Sequence, residues 1–161
     1  MRLYIAGKVA KNSTFGKHHW RDEFCAELAR LSGLELDHLD PLSTPQTTDP
    51  KEVFAQDCRL INKADALVVY LSDDISVGGS QEILIARYLH KPVIGLAPLG
   101  GKFNGCRREM LGKIIENYQD PFVFATCDLV CSDVEAVAQA LQKIKDIKSD
   151  GFTLIDAALR S

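Results

Sequence analysis

Short apolar runs bounded by turn residues alternate along this chain with longer segments whose apolar positions recur at helical spacing, the pattern of repeated βα units. The runs predict strands over residues 2–6, 34–39, 66–71, 92–97 and 122–126; the segments between and after them predict helices over 17–31, 50–63, 80–90, 107–117 and 132–148. The third and fourth runs, Ala66-Leu67-Val68-Val69-Tyr70-Leu71 and Pro92-Val93-Ile94-Gly95-Leu96-Ala97, are apolar almost throughout. Parallel strands covered by helices on both faces read this way, so these two belong at the sheet centre. Gly33 after the first helix, Asp49-Pro50 opening the second and the capping box Ser132-Asp133-Val134-Glu135 before the last support the boundaries. Five strands joined by right-handed crossovers predict a three-layer, doubly wound α/β fold with a parallel sheet in the order 2-1-3-4-5, built as one domain over residues 1–161.

The formal charge of −3 and isoelectric point near 5.8 offer no global attraction for a nucleic acid polymer or an anionic membrane. The apolar run after Met1 is too short for a signal peptide and no stretch has the length of a membrane span, so a cytoplasmic location is expected. Five cysteines, Cys25, Cys58, Cys106, Cys127 and Cys131, form no CxxC pair, and Cys127 and Cys131, four apart, have no histidine or second cysteine pair near them in sequence to complete a zinc site. They read as reduced structural cysteines, with no metal expected.

An open parallel sheet binds ligands outside the carboxyl ends of its strands, where strand order reverses. Here that point lies between the first and third strands and gathers Gly7 and Lys8, Asp40-Pro41, the stretch 72–82 and Pro98-Leu99-Gly100-Gly101. Two carboxylates stand out. Asp57 falls four residues from both Val53 and Ile61 on the inward stripe of its helix, where a charge is costly; the alternative has it at the stripe's edge, bound to a backbone amide or to Arg59. Glu82 follows Gly78-Gly79-Ser80 in the first turn of the next helix, where the dipole favours negative charge and the glycines admit a ligand close to the backbone; the alternative is an ordinary first-turn glutamate. The same turn suits a phosphate held on free N–H groups with Ser80 as a donor, although it is neither a Walker sequence nor a dinucleotide fingerprint.

Tyr4-Ile5-Ala6-Gly7, the run from Asp57 through Ala64-Asp65-Ala66-Leu67-Val68-Val69, and Gly78-Gly79-Ser80-Gln81-Glu82-Ile83 with Lys91-Pro92-Val93-Ile94 behind it together resemble the nucleoside 2-deoxyribosyltransferase and 2′-deoxynucleoside 5′-phosphate N-hydrolase family. The resemblance covers residues 2–98 and implies a flavodoxin-like fold, usually homo-oligomeric, that cleaves the N-glycosidic bond of a small-molecule nucleoside or nucleotide without a cofactor. It implies that Glu82 is the nucleophile at the sugar C1′, that Asp57 assists at the base or orients the nucleophile, and that Tyr4 stands beside the nucleophile. Gly7, Ser76, Gly78, Gly79 and Ser80 are the implied substrate-binding positions. The transferases carry an acidic residue where this chain has Ser76, and a serine there is more similar to the nucleotide hydrolases, in which it binds the 5′-phosphate. The competing expectation is a catalytically silent nucleotide-binding or sensor module on the same fold.

Several residues remain outside that pattern. Lysines of the loop 8–17 and the pair Arg107-Arg108 read either as phosphate contacts or as solvated surface, and Asp73-Asp74, His38 and Asp40 are weaker pocket candidates. In His18-His19-Trp20-Arg21 the two histidines face about 100° apart on a helix, so a shared metal is disfavoured; Trp20 reads as packing and the histidines as surface or substrate rim. The stretch 41–48 reads as an active-site wall. The last dozen residues, with Phe152, Leu154, Ile155 and Leu159, are too apolar for a free tail and are expected to dock on a partner subunit.

Overall fold

The computed structural model of the chain describes residues 1–8, 15, 19–41, 47–72 and 74–160. The candidate lysines Lys11 and Lys17, His18, most of the proposed wall at 41–48, and Asp73 lie outside the described residues. Five parallel strands, β1 (Arg2–Lys8), β2 (Asp37–His38), β3 (Ala66–Leu71), β4 (Val93–Leu96) and, after a separate hairpin, β7 (Leu129–Cys131), form a sheet in the order β2-β1-β3-β4-β7. Among these parallel strands that is the expected order 2-1-3-4-5, the doubly wound α/β arrangement.

Side-chain alternation along the strands divides the core into two layers. Leu3, Ile5, Ala66, Val68, Ile94 and Leu96 face one side, where helices α1 (Trp20–Ser32) and α5 (Val134–Gln142) cover them with Phe24, Leu28, Val137 and Leu141. Tyr4, Ala6, Leu67, Val69 and Val93 face the other, under Ile61 of α2 (Pro50–Lys63), Ile83 and Ala86 of α3 (Val77–Tyr88) and Val123 of α4 (Pro121–Thr126). Tyr4 is thereby committed to the layer that also contains α2 and α3.

Several expectations from the sequence give way, among them the last helix, which contracts from 132–148 to Val134–Gln142 with Asp133 rather than Ser132 as its cap. The segment 122–126 is helix α4: the Asp120 carboxylate caps it, accepting from the Phe122 and Val123 amides at 3.0 and 3.1 Å, and Pro121 starts it. The fifth parallel strand is β7, immediately downstream. Residues 107–117 are not helical but belong to an antiparallel hairpin, β5 (Asn104–Met110) and β6 (Lys113–Gln119). The second strand contracts from 34–39 to Asp37–His38, and α3 starts at Val77 rather than Ser80, with Ser76 as its cap. At the C-terminus, α6 (Thr153–Arg160) follows a segment fastened within the chain: buried Arg87 of α3 binds the Asp150 carboxylate at 2.5 Å and the Gly151 carbonyl at 3.1 Å, and Phe152 meets Tyr88 at 6.2 Å between ring centroids.

Candidate active site

The end of β1, the start of α3 and the middle of α2 meet at the carboxyl edge of the sheet, and glycine is what lets them meet. Gly7 has φ +99°, and a β-carbon there would stand 2.2 Å from the Tyr70 carbonyl oxygen of the neighbouring strand. Gly79 sits over it: a β-carbon at Gly79 would be 3.5 Å from the Gly7 Cα and 3.2 Å from the Ser76 hydroxyl oxygen. The first turn of α3 therefore lies directly on β1. Ser76 fixes that turn, its hydroxyl oxygen accepting from the Gly79 amide at 3.0 Å, while the Ser80 hydroxyl donates to the Val77 carbonyl at 2.8 Å. Both serines are exposed at the helix entrance. A β-carbon at Gly78 would be 3.9 Å from a Glu82 oxygen, so the glycine leaves the approach to that carboxylate uncovered.

Beneath this turn the Tyr4 hydroxyl donates to Glu82 Oε1 at 2.9 Å. Tyr4 is 1% exposed and Glu82 is half-buried. Burial is the main cause holding the Glu82 carboxyl above the usual range; the Tyr4 hydrogen bond opposes it, the negative charge of Asp57 reinforces it, and the Arg21 cation opposes it weakly. Asp57, from α2, is likewise held above the usual range by burial, opposed by the nearby Tyr4 hydroxyl, whose one proton goes to Glu82. The Tyr4 hydroxyl is driven far upward by its own burial and then by the two carboxylates, so it remains a donor at any working pH. Tyr4, Asp57 and Glu82 thus form one cluster, with Gly7 and Gly79 as its backbone floor. Among the described residues such a cluster offers a carboxylate with one oxygen bound to the tyrosine hydroxyl, and a second carboxyl that holds its proton more readily than a solvated one.

Arg21 was absent from the sequence-derived site. It opens α1, stacks over Trp20 at 4.6 Å, and donates from Nε to the Ile5 carbonyl at 2.9 Å with Nη2 3.5 Å from the Gly7 carbonyl. The signal available in the sequence was a cation beside the tryptophan that packs on the sheet.

Other candidates stand apart from the cluster. Arg107 pairs with Glu116 and Arg108 lies over the Tyr118 ring, both within the hairpin. Asp74 pairs with Lys102 at 3.7 Å. His38, whose side chain is 6% exposed, has its Nδ1 3.3 Å from Asp22, and His19 approaches the same carboxylate at 3.7 Å; both lie on the α1 side of the sheet. Trp20 is packed against Phe24 and Tyr70. Among the described residues no three His, Cys, Asp or Glu side chains gather as a metal site. Cys25, Cys127 and Cys131 are core residues whose thiols burial pushes up to about 11, 12 and 11.

No family model matches the chain, and no curated protein matches it in sequence. Solved structures do match it in shape. A conserved protein from Enterococcus faecalis V583 is similar with a TM-score of 0.61 at 18% identity, over 88% of this chain and 97% of that one. A 2-deoxyribosyltransferase from Leishmania mexicana follows at 0.55 and 18%, over 88% and 97%. One from Bacillus psychrosaccharolyticus is similar at 0.54 and 16%, over 86% and 90%. At these identities what this chain shares with the three proteins is their fold.

Proposed function

We propose that the chain is an N-glycosidic-bond enzyme of the nucleoside 2-deoxyribosyltransferase kind, acting on 2′-deoxynucleosides or their 5′-monophosphates. The observation that carries this reading is the Tyr4 hydroxyl bound to one oxygen of Glu82, with Asp57 beside both, at the strand ends where this fold binds ligands. The motifs that resemble the family and the fold shared with two 2-deoxyribosyltransferases support it.

The reaction runs as a double displacement. Tyr4 holds Oε1, and the other Glu82 oxygen attacks the sugar C1′ as the bond to the base breaks through an oxocarbenium-like state. Asp57 gives its proton to the departing base nitrogen, which takes the bonding pair. Water or a second base then attacks C1′, the ester to Glu82 opens, and Asp57 recovers a proton from the attacking group. The productive state has Glu82 ionised and Asp57 protonated, which the burial of both carboxyls beside one another favours over two charges. The substrate is a small nucleoside or nucleotide, and no cofactor enters the scheme. A homo-oligomer in the cytoplasm is the expected setting.

Chromatography of a panel of 2′-deoxynucleosides and 5′-monophosphates, with and without a second free base, tests the reading. Release or exchange of base, lost in Glu82→Ala by about ten-thousandfold or more with the fold retained, is the expected outcome. Thermal stabilisation by nucleotide without any base release at high enzyme would instead favour a silent binding module.

A further inference from the structure

Helix α2 carries Asp57 yet is thinly anchored. Of its 14 residues Ile61 is the one that is buried, and Val53 and Phe54, one turn before Asp57, are substantially exposed. A helix of this length is marginal unless an apolar face packs. The surface beside it is uncovered in the same way. Phe54, Leu84, Tyr88, Phe122, Ile155 and Leu159, from α2, α3, α4 and α6, are between 43% and 81% exposed. At about 150–250 Å² for a large side chain, those fractions leave on the order of 700 Å² of apolar surface open. The largest apolar patch on a typical monomer is roughly 300–600 Å², whereas each partner in a stable complex buries roughly 800 Å².

The patch is continuous, and its relief suits a copy of itself. Leu84 and Phe152 line two hollows at once, one of about 550 Å³ with Phe54 and Tyr88 and one of about 450 Å³ with Phe122 and Ile155. Protruding rings and hollows large enough for a side chain therefore alternate on one face, as a two-fold contact between identical surfaces requires. The cations at the hollows are already matched, Arg59 by Glu52 and Arg87 by Asp128 and Asp150, so the face does not call for a charged partner.

We propose that a second copy of this chain packs on the face formed by α2, α3, α4 and α6, and that the active site is incomplete without it: contact on Val53 and Phe54 holds α2, and with it Asp57, against Tyr4 and Glu82. The interface stands on the exposed surface, while its catalytic consequence rests on Asp57 as the acid of the proposed reaction. Glu82 depends on the contact far less, because α3 is anchored by buried Gly79, Ile83, Ala86 and Arg87. Dissociation should therefore cost the acid before it costs the nucleophile.

Analytical ultracentrifugation of the full chain, with hydrogen exchange and base release measured on the same samples, tests this. Wild type at tens of micromolar should sediment as a dimer or an even multiple of it. Tyr88→Glu, and separately Phe122→Glu on another helix, put a charge in the face without touching the catalytic cluster, and each should halve the mass. In both, the amides of residues 53–57 should exchange about tenfold faster while those of β1 and β3 hold their rates. Base release should fall by between about tenfold and the roughly hundredfold that loss of a general acid costs, most for substrates with poor leaving groups. A wild-type monomer at that concentration, free or bound to phosphatidylglycerol vesicles, overturns the proposal, as does an assembly that survives both substitutions. Monomeric variants whose 53–57 amides exchange as in wild type overturn the dependence of the site on the second copy. Should Tyr88→Glu not fold, Phe122→Glu decides on the same readouts. If wild type releases no base, the proposed function fails while mass and exchange still decide the interface.

Discussion

Glu82 in the second turn of α3 and Arg87 in its last are both turned into the protein, yet the fold treats the two charges in opposite ways. Among the described residues Glu82 accepts one hydrogen bond, from Tyr4, faces a second carboxylate, Asp57, and feels only a weak pull from the Arg21 cation, so its ionised form is under-compensated. Arg87, at 3% side-chain exposure, is enclosed by partners: the Asp128 carboxylate, the Asp150 carboxylate and the Gly151 carbonyl. Asp128 in turn accepts from the Val93 amide at 2.8 Å, so the network ties α3, the start of β4, the approach to β7 and the C-terminal segment together. A buried charge that is fully paired organises a fold; one left partly unpaired is available for chemistry.

Removing the arginine should break that contrast on the structural side. Arg87→Met leaves the Asp128 carboxylate buried without its cation, and loss of one partner of such a pair costs about 3–5 kcal/mol. Urea denaturation should show that fall, while base release per folded molecule stays near wild type because the network lies at the far end of α3 from Glu82. Unchanged stability would remove Arg87 from its role as the clamp of the C-terminal segment.

At the other end, Asp57→Asn should act on rate rather than on folding. The amide cannot deliver a proton to the leaving base, and general-acid losses of about a hundredfold or more are expected in kcat. The loss should shrink for a substrate whose base departs without protonation. An equal loss for good and poor leaving groups would make Asp57 an orienting residue and not the acid.

The two ends of α3 differed in how far the sequence revealed them. Asp57 and Glu82 were legible because each is a carboxylate at a position where charge is costly or unusually useful: an inward helical stripe, and a glycine-opened helix start. Tyr4 and Gly7 came through family resemblance and topology. The Arg87 network was not legible, since Asp128 and Asp150 lie 41 and 63 residues away and nothing local marks them as partners. The fold errors were local. In the hairpin, Leu111 and Gly112 both take positive φ, +51° and +72°, forming the tight turn between Met110 and Lys113, but leucine carries none of the usual turn signal and the residues before it, Arg107 to Met110, are good helix formers. Helix α4 was hidden by the apolar run Phe122-Val123-Phe124, although Asp120-Pro121 repeats the start signal that Asp49-Pro50 supplied for α2. On α2, Ile61 is buried as its stripe requires, whereas Val53 and Phe54 remain substantially exposed, and Phe54 lines an apolar groove of about 550 Å³ with Leu84, Tyr88 and Phe152.

The smallest expected effect separates the two ends of α3 by the sign of a pH dependence. Glu82 is held above the usual carboxyl range, so the fold favours its protonated form. Its contribution to stability is fully present below the ordinary carboxyl pKa, where folded and unfolded chains are both protonated, and is lost as pH rises through the folded value. Glutamine escapes that loss: Glu82→Gln should melt above wild type at neutral pH, with the gap closing towards pH 4. Asp150 is held below the usual range, chiefly by its hydrogen bond from Arg87, so its contribution is present above the ordinary pKa and lost as pH falls through the folded one. Asp150→Asn should therefore melt slightly below wild type at neutral pH and converge with it in acid. Melting curves of the three proteins between pH 3 and 8 read both slopes at once. A Glu82→Gln variant less stable than wild type at neutral pH would mean that Tyr4 and Arg21 compensate the carboxylate fully, and the distinction between the two ends of the helix would collapse.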